Sequence, residues 1–78
     1  MGNLTDLREG ERGIVARVGG SAAMRGRLFD LGLTEGSTVA CEHRKRRGDI
    51  AAYSVRGAVI ALRYEDAAAI ELERGGGR

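Results

Sequence analysis

Seventy-eight residues, 31% of them charged and 42% hydrophobic, make one small domain and leave no room for a second. A chain this short buries roughly 60% of its unfolded surface, so its core is thin. Phe29, Tyr53 and Tyr64 are the only aromatic residues, which leaves that core to aliphatic side chains. A single cysteine excludes an internal disulfide and points to a reducing compartment. No apolar run approaches the roughly 18 residues of a membrane span, and the opening residues 1–6 lack the basic and apolar regions of a signal peptide; the expected location is the cytoplasm. Thirteen basic residues against eleven acidic ones do not by themselves imply a nucleic-acid ligand. The charges are unevenly placed, however: Arg44, Lys45, Arg46 and Arg47 stand together, whereas residues 65–73 hold four acids and no base.

In chain order, residues 12–18 alternate, with Ile14, Ala16 and Val18 on one face and Val15 and Arg17 on the other, the period of a half-buried strand. A helix of about ten residues is expected next. Ser21 supplies its N-cap, Met24, Leu28 and Leu31 recur at spacings of four and three, and Gly32 offers a left-handed stop. On this pattern Leu28 and Leu31 belong to the core, while Met24, Phe29 and Leu33 fall at the edge of the apolar stripe or off it and form an exposed patch. Residues 38–44 alternate again, with Val39, Cys41 and His43 on one face. Residues 50–55 and 58–62 flank Arg56-Gly57 and read as a β-hairpin, and residues 69–73 supply the last strand. Five short strands are too few for two full sheets, and closing them into a small barrel hides their edges. Residues 1–73 form the domain, and the glycine-rich tail 74–78 is read as disordered.

The residues supply little for chemistry. Metal ligation needs three or four convergent donors; Cys41 and His43 are half of such a set, and as a metal site they stand only as candidates, for ferrous iron or zinc. Ser21, Ser37 and Ser54 lie on different segments from His43, with no nucleophile elbow, so an enzyme is not expected. Gly19-Gly20-Ser21 lacks the Gly-Lys pair of a phosphate loop. The run from Arg44 to Arg47 is a candidate electrostatic contact for an acidic protein or lipid surface, or for nucleic acid, although no aromatics are interleaved with it.

Taken in order, several segments resemble the FeoA-type domain. They are Leu4-Thr5-Asp6-Leu7-Arg8-Glu9-Gly10; Arg27-Leu28-Phe29-Asp30-Leu31-Gly32-Leu33-Thr34-Glu35-Gly36; Gly48-Asp49; Val55-Arg56-Gly57; and Ile60-Ala61-Leu62-Arg63-Tyr64-Glu65-Asp66-Ala67. Glu35 and Ile50 stand where that family often carries proline, and Gly26 where a longer helix former is common. The resemblance implies a mainly β fold, a five-stranded SH3-like barrel with one short α-helix between the first two long strands. It also implies a small cytosolic accessory of bacterial ferrous iron uptake that binds cytoplasmic parts of the membrane GTPase transporter FeoB. Related domains occur in metal-dependent repressors, so a metal-responsive regulatory domain is one alternative and a nucleic-acid-binding barrel another. The expected partner-binding residues are Met24, Arg27, Phe29, Leu33 and Arg56, with Arg27 and Arg56 either orienting the partner or pairing with a carboxylate such as Asp30.

Overall fold

The computed structural model describes residues 2–44 and 50–73. Six antiparallel strands run in the order β1-β6-β2-β3-β4-β5, with β1 at Gly2–Asn3, β2 at Arg12–Val18, β3 at Thr38–Arg44, β4 at Ile50–Val55, β5 at Ala58–Arg63 and β6 at Ile70–Leu72. Helix α1, Ala22–Asp30, lies between β2 and β3, and a one-turn helix α2, Tyr64–Ala68, between β5 and β6. The sheet curls into a small SH3-like barrel. No ladder joins its two edge strands, β1 and β5; α2 and the 3-10 turn at Leu4–Asp6 pack together across that gap. The core comprises Leu4, Val15, Leu28, Leu33, Val39, Cys41, Tyr53, Val55 and Ile70 with their buried neighbours.

The hairpin forms as its glycine predicts. Arg56 and Gly57 both take positive φ, 51° and 83°, the geometry of a two-residue turn whose twist matches the strands it joins, and Val55 pairs with Ala58. The two-residue β1 departs from expectation. So does α2, whose Ala67 is buried and to whose segment the sequence pattern assigns no element. Its alanines carry no periodic stripe, so tertiary packing against Leu4 and Ile70 fixes the turn.

Both long strands depart from simple alternation for one reason. In β2 the register against β6 shifts between Val15 and Arg17, and in β3 the register against β4 shifts between Cys41 and His43. Each shift is a bulge, in which an extra residue reverses the inward and outward faces beyond it. Val15 is therefore fully buried and Ile14 only half-buried, the reverse of the sequence-based assignment. In β3, Val39 and Cys41 face the core, but after the bulge His43 turns outward and Arg44 turns inward opposite Ala51.

That inward turn gives Arg44 a structural task. Its guanidinium donates to the main-chain carbonyls of Thr5 and Leu7, and its backbone N–H donates to Glu9 Oε2 at 2.9 Å. Tyr53 donates its hydroxyl to the Leu4 carbonyl at 3.4 Å. The N-terminal turn is thereby tied to β3 and β4, and carbonyls that have no partner in a ladder are satisfied.

Helix α1 begins and ends as its sequence dictates. Ser21 Oγ accepts from the Met24 N–H at 3.1 Å. At the other end the Leu33 N–H donates to the Leu28 carbonyl and the Gly32 N–H to the Phe29 carbonyl, both at 2.9 Å, with Gly32 at φ 95°. These bonds define a Schellman motif, which returns Leu33 to the core beside Leu28. Leu33 is thus 1% exposed rather than part of a surface patch, and Leu31, expected in the core, is 42% exposed. Nine residues cannot bury a wider stripe once the chain reverses at Gly32, and Leu28 is the only fully buried residue of the helix. Replacing Leu28 by Ala is expected to lower the unfolding free energy by about 3 kcal/mol, whereas Leu31→Ala should change it by less than about 0.5 kcal/mol; urea titration of the two variants checks the pair.

Candidate protein-binding site

Because α1 is anchored through Leu28, with Met24 packed partly against the core, it leaves a cleft on each of its flanks. The first, of about 530 Å³, separates the helix from the edge strand β5. Met24, Arg27, Leu28 and Leu31 form one wall, residues 60–63 the other, and Glu65 and Asp66 close the end. The second, about 420 Å³, lies between Phe29 and the loop that follows the helix, with Val18, Arg25, Thr34 and Glu35 around a floor that includes Leu33. Phe29 stands between solvent and this second cleft, 66% exposed. An exposed phenylalanine beside an exposed leucine and flanking arginines has the composition of an interaction surface.

The loop behind the helix is rigid. Buried Ser37 donates its hydroxyl to the Gly32 carbonyl at 3.0 Å and accepts from the Thr34 N–H at 3.2 Å, while the Ser37 N–H bonds the Thr34 carbonyl at 3.0 Å. The turn at Thr34–Ser37 closes in this way with Glu35 at its second position. Arg56, from the tip of the β4–β5 hairpin, lays its side chain against Gly32: a Cβ built on Gly32 would lie 2.7 Å from Arg56 Cδ. Two sequence segments quoted separately, Leu31-Gly32-Leu33 and Val55-Arg56-Gly57, therefore meet in space. Among the described residues neither Arg27 nor Arg56 has a carboxylate within 4.0 Å; on β3, His43 Nδ1 lies 3.5 Å from Glu9 Oε2.

The structure brings Met24 and Arg27 together on the first cleft and places Phe29 over the second, with Leu33 beneath. Arg56 supports the helix end. Arg44 is withdrawn from the proposed electrostatic contact, since its guanidinium faces main-chain carbonyls inside the fold. Lys45, Arg46 and Arg47 lie outside the described residues. Cys41 and His43 do not share a face: the bulge at Glu42 leaves Cys41 1% exposed in the core and His43 outside with Glu9. No group of three metal-ligating side chains occurs among the described residues. The serines have structural partners, Ser21 at the helix cap, Ser37 in the turn, and Ser54 donating to Glu42 Oε2 at 2.7 Å. Sequence reasoning missed Leu31, Ala61 and Arg63 as cleft residues; the hairpin signal marked residues 58–62 as a strand, but nothing in it marked that strand as an edge.

The described residues form a small barrel with a thinly anchored helix and a cleft on each of its flanks. The chain matches the FeoA domain over residues 2–74 and belongs to that family. It is 31% identical over 70 residues to an Fe(2+) transport protein A/Fe(2+) transporter FeoB fusion protein of Porphyromonas gingivalis. That alignment covers 90% of this chain and 8% of the relative, so the chain spans a small fraction of the relative's length. The family is linked to ferrous iron transport through this fusion. Among solved structures, the FeoA protein of Chlorobium tepidum superposes with a TM-score of 0.84 at 27% identity, covering 97% of this chain and 77% of that one. The fold is shared by Stenotrophomonas maltophilia FeoA complexed with zinc, TM-score 0.81 at 22% identity over 95% of this chain and 92% of that one. It is shared as well by a manganese-dependent transcriptional repressor in complex with manganese, TM-score 0.80 at 23% identity over 90% of this chain and 35% of that one.

Two tests follow from the geometry. Gly32→Ala meets both the positive φ and the Arg56 side chain; a loss of about 2 kcal/mol is expected, of which Arg56→Ala should restore only the steric part. A double-mutant cycle by denaturation separates the two. Burial raises the Cys41 thiol above its ordinary 9.0 and the Tyr53 hydroxyl above its ordinary 10.0. Both groups are held neutral in the fold and ionise more readily when it opens, so their contribution is complete below pH 9 and is lost as the pH rises through the folded-state values. The unfolding midpoint should fall above pH 9, less steeply in Cys41→Val.

Proposed function

We propose that the domain is a non-catalytic accessory of bacterial ferrous iron uptake that works in the cytoplasm by docking on cytoplasmic parts of a FeoB-like membrane GTPase transporter. The observation that carries this reading is the fusion of an Fe(2+) transport protein A to a FeoB transporter in the Porphyromonas gingivalis relative. Two modules joined in one chain work at high effective concentration of one another, and a separate copy of the first module needs a surface that replaces the covalent link. The α1 face supplies such a surface. Phe29 and Leu31 offer apolar area, and Arg25 and Arg27 offer charge for orientation. Arg56 acts behind them by bracing Gly32. Leu33 contributes as a floor and not as a protruding contact.

No described helix is long and apolar enough to cross a membrane. A divalent transition metal held weakly by this chain, and the metal-responsive reading that goes with it, has support from the shared fold of a zinc-bound FeoA and a manganese-bound repressor. The separation of Cys41 from His43 removes the donor pair on which the sequence would have built that site. Nucleic-acid binding loses Arg44 from its basic run.

Isothermal titration of the full chain with the soluble GTPase portion of its FeoB-like transporter tests the reading. Arg27→Glu and Phe29→Ala should each weaken binding by about tenfold (~1.4 kcal/mol) while melting near the wild-type temperature, because both side chains are exposed. Glu71→Ala, on β6, should bind as wild type. Equal affinity for all four chains, or no binding, contradicts docking through α1.

A further inference from the structure

We propose that the first cleft is a strand-acceptor site: an extended segment of a protein partner adds to the free edge of β5, beneath α1. The inference rests on the domain's being a protein-binding module and names the mode of recognition.

The hairpin fixes which backbone groups are free. Val55 and Ala58 close a two-residue turn and exchange both hydrogen bonds, and in an antiparallel ladder bonded and non-bonded pairs then alternate. Tyr53 with Ile60 and Ala51 with Leu62 are therefore bonded pairs. Ser54 with Val59, Ala52 with Ala61 and Ile50 with Arg63 are not. The N–H groups of Val59, Ala61 and Arg63, and the carbonyls of Val59 and Ala61, point away from β4. β5 has no second strand neighbour, and no backbone or side-chain hydrogen bond from a described residue reaches those of Val59 or Ala61.

Proteins usually blunt such an edge. Here Arg63 is the single charged residue on the strand, Val59 is 65% exposed, and the opposing helix stands off across a cleft of about 530 Å³ instead of packing against the edge. The row from Val59 to Arg63 offers about five residues, roughly 17 Å of ladder at 3.3 Å per residue. Alternate side chains of an added strand would lie against the apolar floor at Leu28, Leu31 and Leu62, and the intervening ones beside Ala61 and Arg63. Ala61 is small, so the added backbone can approach closely.

Charge narrows the occupant further. Arg27 on the helix and Arg63 on the strand face the cleft from opposite walls, Glu65 and Asp66 are confined to its closed end, and no described carboxylate lies within 4.0 Å of either arginine. The segment that fits is extended, apolar at alternate positions and carries an acidic side chain between the two arginines.

The test is amide hydrogen exchange by NMR on the full chain, with two probes: short peptides tiling the cytoplasmic portion of the FeoB-like transporter, and a random-sequence peptide library. The Val59, Ala61 and Arg63 amides should exchange freely in the chain alone, and a bound peptide should protect them. Ala61→Pro removes an edge donor that the β4 ladder does not use and should weaken that peptide by about tenfold or more, whereas Ala61→Val should retain it; protected Tyr53 and Ile60 amides show that each variant is folded. Binding that leaves the three edge amides unprotected overturns strand addition even if the transporter portion binds, and so does the failure of every peptide in both sets. Protection by library peptides but none from the transporter supports strand addition and removes the transporter reading. Edge protection that grows with concentration of the chain alone, together with a doubled mass, assigns the edge to a second copy and overturns the proposal.

Discussion

The arrangement depends on how little of α1 is buried. One side chain, Leu28, enters the core, and the chain then reverses at Gly32 so that Leu33 can enter beside it. Burial of two leucines supplies roughly 4 kcal/mol, a large share of what a domain this size can hold in reserve. It is enough to fix the helix by its C-terminal end, with the Ser21 cap fixing the other. It is not enough to seal the helix onto the sheet. The two clefts, the exposed Phe29 and the uncovered β5 edge all follow from that single narrow attachment.

The same economy governs the barrel. No disulfide is available to a chain with one cysteine, and no ladder closes β1 to β5. The N-terminal turn is held by polar bonds that a bulge makes possible: by turning Arg44 inward, the extra residue in β3 gives the carbonyls of Thr5 and Leu7 a cationic donor. The Glu9 carboxylate then takes the Arg44 N–H and faces His43 outside. A basic residue that reads as part of a surface run is in this way one of the ties of the fold.

Features fixed by nearest neighbours were legible in the sequence. The Ser21 cap, the Gly32 reversal and the Arg56-Gly57 turn each rest on a local conformational preference, and each appears where those residues place it. What depended on long-range pairing was not legible. Neither bulge has a local signal, so one side of each was assigned to the wrong face: Ile14 before the bulge in β2, and His43 and Arg44 after the bulge in β3. Leu31 and Leu33 were exchanged between surface and core for a related reason: a 3.6-residue period says nothing about the reversal that follows the helix. The candidate site was legible as a segment, residues 24–36, but its other wall was not, because the edge status of β5 is a property of the strand order.

The central claim is that the domain meets its transporter through α1 and the adjoining β5 edge. The structure of the complete chain bound to the full-length FeoB-like transporter tests this most directly. The account requires Phe29, Leu31 and the outer backbone of Val59 and Ala61 to lie within the interface, with β2 and β3 turned away from it. An interface formed by β2 and β3, with α1 and β5 left in solvent, would contradict it.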